Sequence, residues 1–193
     1  MRLFRNRRTR RLIIQLLLLI ILILVTRYTN WLDQGTKVAQ QSQPGLYSIA
    51  KFDDGDTIVV DMNGTNETIR FIGVDTPETH DPRKPVMCYG VEASNYTKKL
   101  IGNNRVRLQS DSLDTNRDRY NRLLRYVYLP DGTLVNAKLI TEGYGLDYPY
   151  FPFEKAQEFK DDEAQAKQAG RGLWNACQII TESDGSRHTN PVN

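Results

Sequence analysis

Histidine and cysteine are scarce in this chain, with two of each among 193 residues. That shortage leaves no soft-ligand set for a thiolate-and-imidazole metal centre, so any metal would have to be a hard cation held by oxygen. Acidic residues are missing altogether from positions 1–27, where seven arginines sit. Only 19 of the 26 basic residues therefore remain for the rest of the chain, against 23 acidic ones, a net charge of −4 beneath an overall +3. A domain of that charge is not a general polyanion binder. If it handles nucleic acid, it must do so through a local basic cluster or a bound cation. No internal repeat is present, which excludes solenoid architectures.

There is one long apolar run, Leu12 to Val25, fourteen residues broken only by Gln15 and preceded by arginines. Such a run is a secretory signal or a membrane anchor. Thr26, Tyr28 and Trp31 can carry it through an interface with Arg27 snorkelling outward. No small-residue cleavage site follows closely, since the nearest alanine is Ala39. The reading favours an uncleaved transmembrane anchor over 12–28, with a basic cytoplasmic flank over 1–11 and a Gln/Thr/Ser-rich linker over 29–44. The folded domain would then lie outside the cytoplasm, anchored to the membrane, or secreted if the segment is cleaved.

From Leu46 the pattern turns to short β-rich runs: Leu46–Phe52, Asp56–Asn63 and Glu67–Val74, separated by Asp53-Asp54-Gly55 and Asn63-Gly64. Arg105–Gln109 and Leu123–Leu129 add two more. Gly90–Ile101, Thr133–Glu142 and Phe153–Ala169 read as helices, the last two stopped by Gly143 and Gly170. Five strands with a helix after the third are compatible with a small closed barrel of the OB-fold type carrying further helices, a pattern that periodicity alone does not separate from other α+β arrangements. The polar stretch 181–193 reads as a disordered tail.

Three clusters carry chemistry. The first is Asp54-Gly55-Asp56-Thr57, the second Arg70 followed by Asp75-Thr76-Pro77-Glu78, and the third Asp118-Arg119-Tyr120-Asn121-Arg122. Taken singly they describe a hairpin turn, a salt-bridged strand end and a solvated charged loop. In this order and spacing, however, they resemble the staphylococcal nuclease (thermonuclease) family. The resemblance runs from about Leu46 to Asn175 and includes Tyr89-Gly90-Val91-Glu92-Ala93, Val135-Asn136 and Gly172-Leu173-Trp174.

The resemblance implies a calcium-dependent phosphodiesterase over residues 45–180. Asp56 and Asp75 would bind Ca²⁺ through carboxylate oxygens, and Thr76 through its carbonyl. Glu78 would be the general base or orient the water, while Arg70 and Arg122 would grip the scissile phosphate. These roles make chemical sense, because calcium takes oxygen ligands and the arginine fork contacts two phosphate oxygens at once. Lys84, Arg119, Tyr120, Tyr148 and Tyr150 are the expected substrate contacts. Stacking on tyrosines tolerates every base, so the expected partners are DNA and RNA with little sequence specificity and single strands preferred, handled by a monomer.

Two departures stand out. Asn121 occupies a position where the family usually has glycine, and asparagine tolerates a left-handed backbone better than most residues. Cys88 and Cys177 flank the first and last helices of an exported domain, and either form a disulfide that ties the C-terminal segment to the barrel or remain two unrelated thiols. The competing function is a non-catalytic nucleic-acid-binding OB module. Such a module has no need for Arg70, Asp56, Asp75, Glu78 and Arg122 together.

Overall fold

A computed structural model describes residues 13–28, 45–79 and 85–192. The chain divides into two units, Met1–Gln43 and Pro44–Asn193. Within the first, α1 covers residues 13–28, and its Leu, Ile and Val side chains are exposed. No helix among the described residues is long and apolar enough to cross a membrane. The expected transmembrane helix is therefore not supported.

In the second unit, β1 (Leu46–Asp54), β2 (Thr57–Met62), β3 (Thr65–Phe71), β5 (Val106–Gln109) and β6 (Leu123–Tyr128) close a barrel in the order β1-β2-β3-β6-β5. This is the predicted five-stranded OB arrangement. All its pairs are antiparallel except β3 with β6. Asn63 and Gly64 both take positive φ in the β2–β3 turn, as the Asn-Gly signal requires. The interior is filled from alternate strand positions, including Ile58, Val60, Ile69, Phe71 and Val127, and is closed by Leu139 and Phe159 from the helices.

The third strand departs from its sequence reading, which ran it unbroken to Val74. It stops at Phe71 because Gly73 turns the chain at φ 72°, where an added Cβ would stand 2.6 Å from the Phe153 ring. Two residues, Val74–Asp75, then restart as β4 and pair with β7 (Leu146–Asp147). Asn136 stabilises the break. Its amide donates to Ile72 O (2.9 Å) and its Oδ1 accepts from Val127 N (2.9 Å), so backbone groups freed at the turn stay bonded.

The helices follow the expected positions: α2 (Gly90–Ile101), α3 (Val135–Thr141) and α4 (Ala156–Gln168), with a short α5 (Leu173–Ala176) after them. Cys88 and Cys177 are bridged. The expected disordered tail is instead largely a hairpin, β8 (Ile179–Thr181) paired with β9 (Arg187–Thr189). The hairpin is sewn to residues 86–88 by Cys88 N to Asn190 O (2.8 Å), Thr189 Oγ1 to Cys88 O (2.8 Å) and Val192 N to Val86 O (2.9 Å). Composition alone missed it because its stabilising contacts are long-range, not periodic.

Candidate active site

Register places the first arginine. In the β2–β3 ladder Arg70 lies opposite Thr57, which brings its side chain to Asp56. The guanidinium contacts Asp56 Oδ2 at 3.0 Å through Nη1 and Asp75 Oδ1 at 2.7 Å through Nη2, and donates to Val74 O at 2.6 Å. Burial works against its charge, but Asp56 and Asp75 outweigh that and hold the group above its ordinary range.

Asp56 is buried and fully engaged. Its Oδ2 accepts from Thr76 N (2.8 Å) and Thr76 Oγ1 (3.0 Å), and its Oδ1 accepts from Thr57 Oγ1 (2.9 Å). Thr76 comes this close because Gly55 has no side chain: a Cβ there would sit 2.7 Å from Thr76 Oγ1. The structure thus brings Asp56, Arg70, Asp75 and Thr76 together, and the sequence reading missed why the turn needs glycine.

Asp54 is the acid whose role was not foreseen. Burial first, then the charge of Asp56 and a hydrogen bond with Glu78, push its carboxyl up to about 7. Asp54 Oδ1 also accepts from Thr79 Oγ1 (2.9 Å), and Glu78 Oε1 from Thr79 N (3.0 Å), so one threonine spans both acids.

Arg122 arrives from the loop before β6, which runs parallel to β3 with Leu124 opposite Arg70. Its Nε and Nη2 both reach Asp118 Oδ2 at 2.7 Å, while Asp118 Oδ1 accepts from Arg122 N at 2.9 Å. Asn121 takes φ 65° in this tight turn, the left-handed conformation anticipated for it. Both arginines line one cavity of about 520 Å³, with Asp118, Tyr120, Tyr148 and Phe151 among its walls.

Residues 68–176 match the family model described as staphylococcal nuclease homologue. The chain is 40% identical over 164 residues to the thermonuclease of Staphylococcus intermedius, covering 83% of this chain and 95% of that protein. It is 42% identical over 129 residues to the thermonuclease of Staphylococcus hyicus, covering 66% and 75% of the two, and 41% identical over 130 residues to endonuclease YncB of Bacillus subtilis, covering 66% and 61%. The chain belongs to the staphylococcal nuclease family.

Within this nuclease-family domain the remaining expected contacts fall in different places. Arg119 lines the cavity and lies over the Tyr120 ring, 4.8 Å from its centroid; Tyr120 itself is exposed. Tyr148 also lines the cavity, and the Arg70 guanidinium sits 5.9 Å from its ring centroid. Tyr150 packs edge-on against Tyr148 but does not line the cavity, because its hydroxyl donates to Gly185 O in the C-terminal hairpin turn. Phe151, 59% exposed, lines the cavity and was not singled out from sequence. Its signal was available, as an apolar ring between prolines next to the tyrosines. Lys84 lies outside the described residues.

Proposed function

We propose that this chain is a calcium-dependent nuclease that hydrolyses phosphodiester bonds in DNA and RNA with little sequence specificity. The observation that carries the reading is the convergence of Arg70, Asp56 and Asp75 at the end of β3, beside a cavity that Arg122 also lines. Among the described residues no group of three or more His, Cys, Asp or Glu side chains is arranged to hold a metal. Two carboxylates and a carbonyl, from Asp56, Asp75 and Thr76, nevertheless suit calcium. It accepts six to eight oxygens and leaves the remaining positions to water and phosphate. The half-buried Asp54 and the buried Asp56 favour a cation as well, since partial burial and their mutual repulsion already drive Asp54 up to about 7. When bound, calcium supplies positive charge next to the phosphoryl oxygens.

The side chains account for the rest. Glu78, tied to Asp54 through Thr79, is suited to orienting a water or removing its proton. That water oxygen bonds to phosphorus, the phosphorus–oxygen ester bond breaks, and the departing alkoxide takes up a proton. Arg70 is already fixed at a carboxylate surface and stabilises the equatorial oxygens with little reorganisation. Arg122 gives the second fork, once it exchanges part of its Asp118 contact for phosphate. The exposed Tyr120 and Phe151 rings offer base-tolerant stacking, which supports a preference for single strands.

Incubating the full chain with single-stranded DNA and RNA, in calcium and in excess chelator, tests the reading. Cleavage only with calcium is expected, and Glu78→Gln should remove most of it. Equal products with chelator would overturn the calcium dependence. Binding without cleavage under either condition would favour the non-catalytic OB module.

A further inference from the structure

A second cavity, about 430 Å³, lies against Asp75, Thr76 and Glu78, and its other walls take no part in the chemistry above. Asp75 and Glu78 line one part of it, and Met87, Leu146, His188 and Pro191 line others. His188 and Pro191 come from the C-terminal hairpin region, beyond the residues 68–176 that match the family model. The cavity thus joins the family's acid cluster to a wall that this part of the chain adds.

That wall is built to stay in place. The Cys88–Cys177 bridge and the backbone bonds to residues 86–88 hold one side. On the other, Arg187 pairs with Glu163 Oε2 at 2.7 Å and donates to Asp147 O at 2.7 Å. The His188 ring is held at both nitrogens, Nδ1 against Thr189 O (2.9 Å) and Nε2 against Glu182 Oε1 (2.8 Å). A flat ring with fixed orientation loses little freedom when another ring packs on it.

A phosphodiester has two ester arms. Arg70 lines the first cavity and Asp75 the second, and these two side chains are joined by the 2.7 Å contact. A phosphate held there would have a cavity available for each arm. The second is of the size that encloses small ligands, and its proline, methionine and leucine walls suit the apolar face of a base.

We propose that this second cavity is a nucleoside subsite, in which His188 and the apolar wall hold the base and sugar on the ester arm not held by the first cavity. The proposal rests on the nuclease reading. It also accounts for the hairpin being anchored at the acids instead of trailing free.

The test uses the full chain and its His188→Ala and His188→Phe variants. Three competitors are assayed against cleavage of a single-stranded oligonucleotide: a dinucleoside monophosphate and the 3′- and 5′-methyl phosphodiesters of a single nucleoside. For His188→Ala the inhibition constant of the dinucleoside, and of one methyl diester, should rise about tenfold, the scale of a lost stacking contact. The other methyl diester, whose nucleoside the first cavity holds, should be unchanged. His188→Phe should restore binding. Equal losses for all three competitors, no loss for any, or a phenylalanine variant as weak as the alanine one overturns the subsite. Absence of oligonucleotide cleavage by the unaltered chain would instead strike the nuclease reading on which it rests.

Discussion

Arg70 and Arg122 have the same side chain and line the same cavity, yet they are held in opposite ways. Arg70 is 13% exposed and serves two carboxylates and two carbonyls, while Arg122 is 29% exposed, pairs with Asp118 four residues away and lies over the Tyr120 ring. The first belongs to a buried cluster with more acids than bases. The second is a balanced local pair at the rim. A phosphate can therefore join Arg70 without dismantling its supports, whereas Arg122 has to give up part of its Asp118 contact. Preorganisation lies on the strand side, and adjustability on the loop side.

Substituting lysine at either arginine tests whether both forks reach the phosphate. Arg70→Lys and Arg122→Lys should each lower kcat by roughly a thousandfold or more, because a point charge replaces a bidentate one. Single-turnover hydrolysis measures this, and an Arg122→Lys protein with full activity would end the two-arginine account. Stability should then separate the sites. Arg70→Ala strands Asp56 and Asp75 without their cation and should cost about 3–5 kcal/mol, while Arg122→Ala removes a partly exposed local pair and should cost about 1 kcal/mol or less, both read by denaturant titration.

The pH dependence should have opposite signs at the two sites. The folded-state pKa of Asp54 is raised from 3.8 to about 7, so its contribution to stability is greatest at low pH and declines as pH rises through that window. For Asp118, burial opposes ionisation, but the bonds from Arg122 and Tyr120 outweigh it and lower the pKa, so its contribution is present above about pH 4 and is lost as pH falls further. In metal-free protein, Asp54→Asn should flatten the decline towards neutrality, and Asp118→Asn the loss in acid, both visible as unfolding midpoints across pH. The smallest effect belongs to Asn121→Gly. It relieves a left-handed residue and should change stability by less than about 1 kcal/mol, with no change in kcat.

Much of the acid and arginine cluster was legible in the chain because its residues are close in sequence and their chemistry is distinctive. Asp75, Thr76 and Glu78 follow Arg70 within eight positions, and Asp118 precedes Arg122 by four. Strand and helix positions were legible where periodicity and turn residues agree, as in α2 and the Asn63-Gly64 hairpin. The break of β3 at Gly73 was not, since an apolar run gives no sign that Phe153 and Phe159 press on the turn from eighty residues away. Asp54 appeared in sequence as one more turn acid. Its raised pKa depends on burial beside Asp56 and Glu78, a property of neighbours in space.

By itself the sequence determined the run of five strand-forming segments, and it set Arg70 close along the chain to Asp75 and Glu78 and Asp118 close to Arg122. Those features follow from residue type and short-range spacing, which the folded state inherits. Only the tertiary structure decided that Asp54 lies where burial and Asp56 raise its pKa, that Tyr150 turns to the hairpin instead of the cavity, and that the C-terminal hairpin forms part of a wall beside Asp75 and Glu78. Each of these depends on desolvation or on contacts between distant segments. The β2–β3 register, the Gly73 turn and the Cys88–Cys177 bridge create those contacts, and spacing along the chain does not encode them.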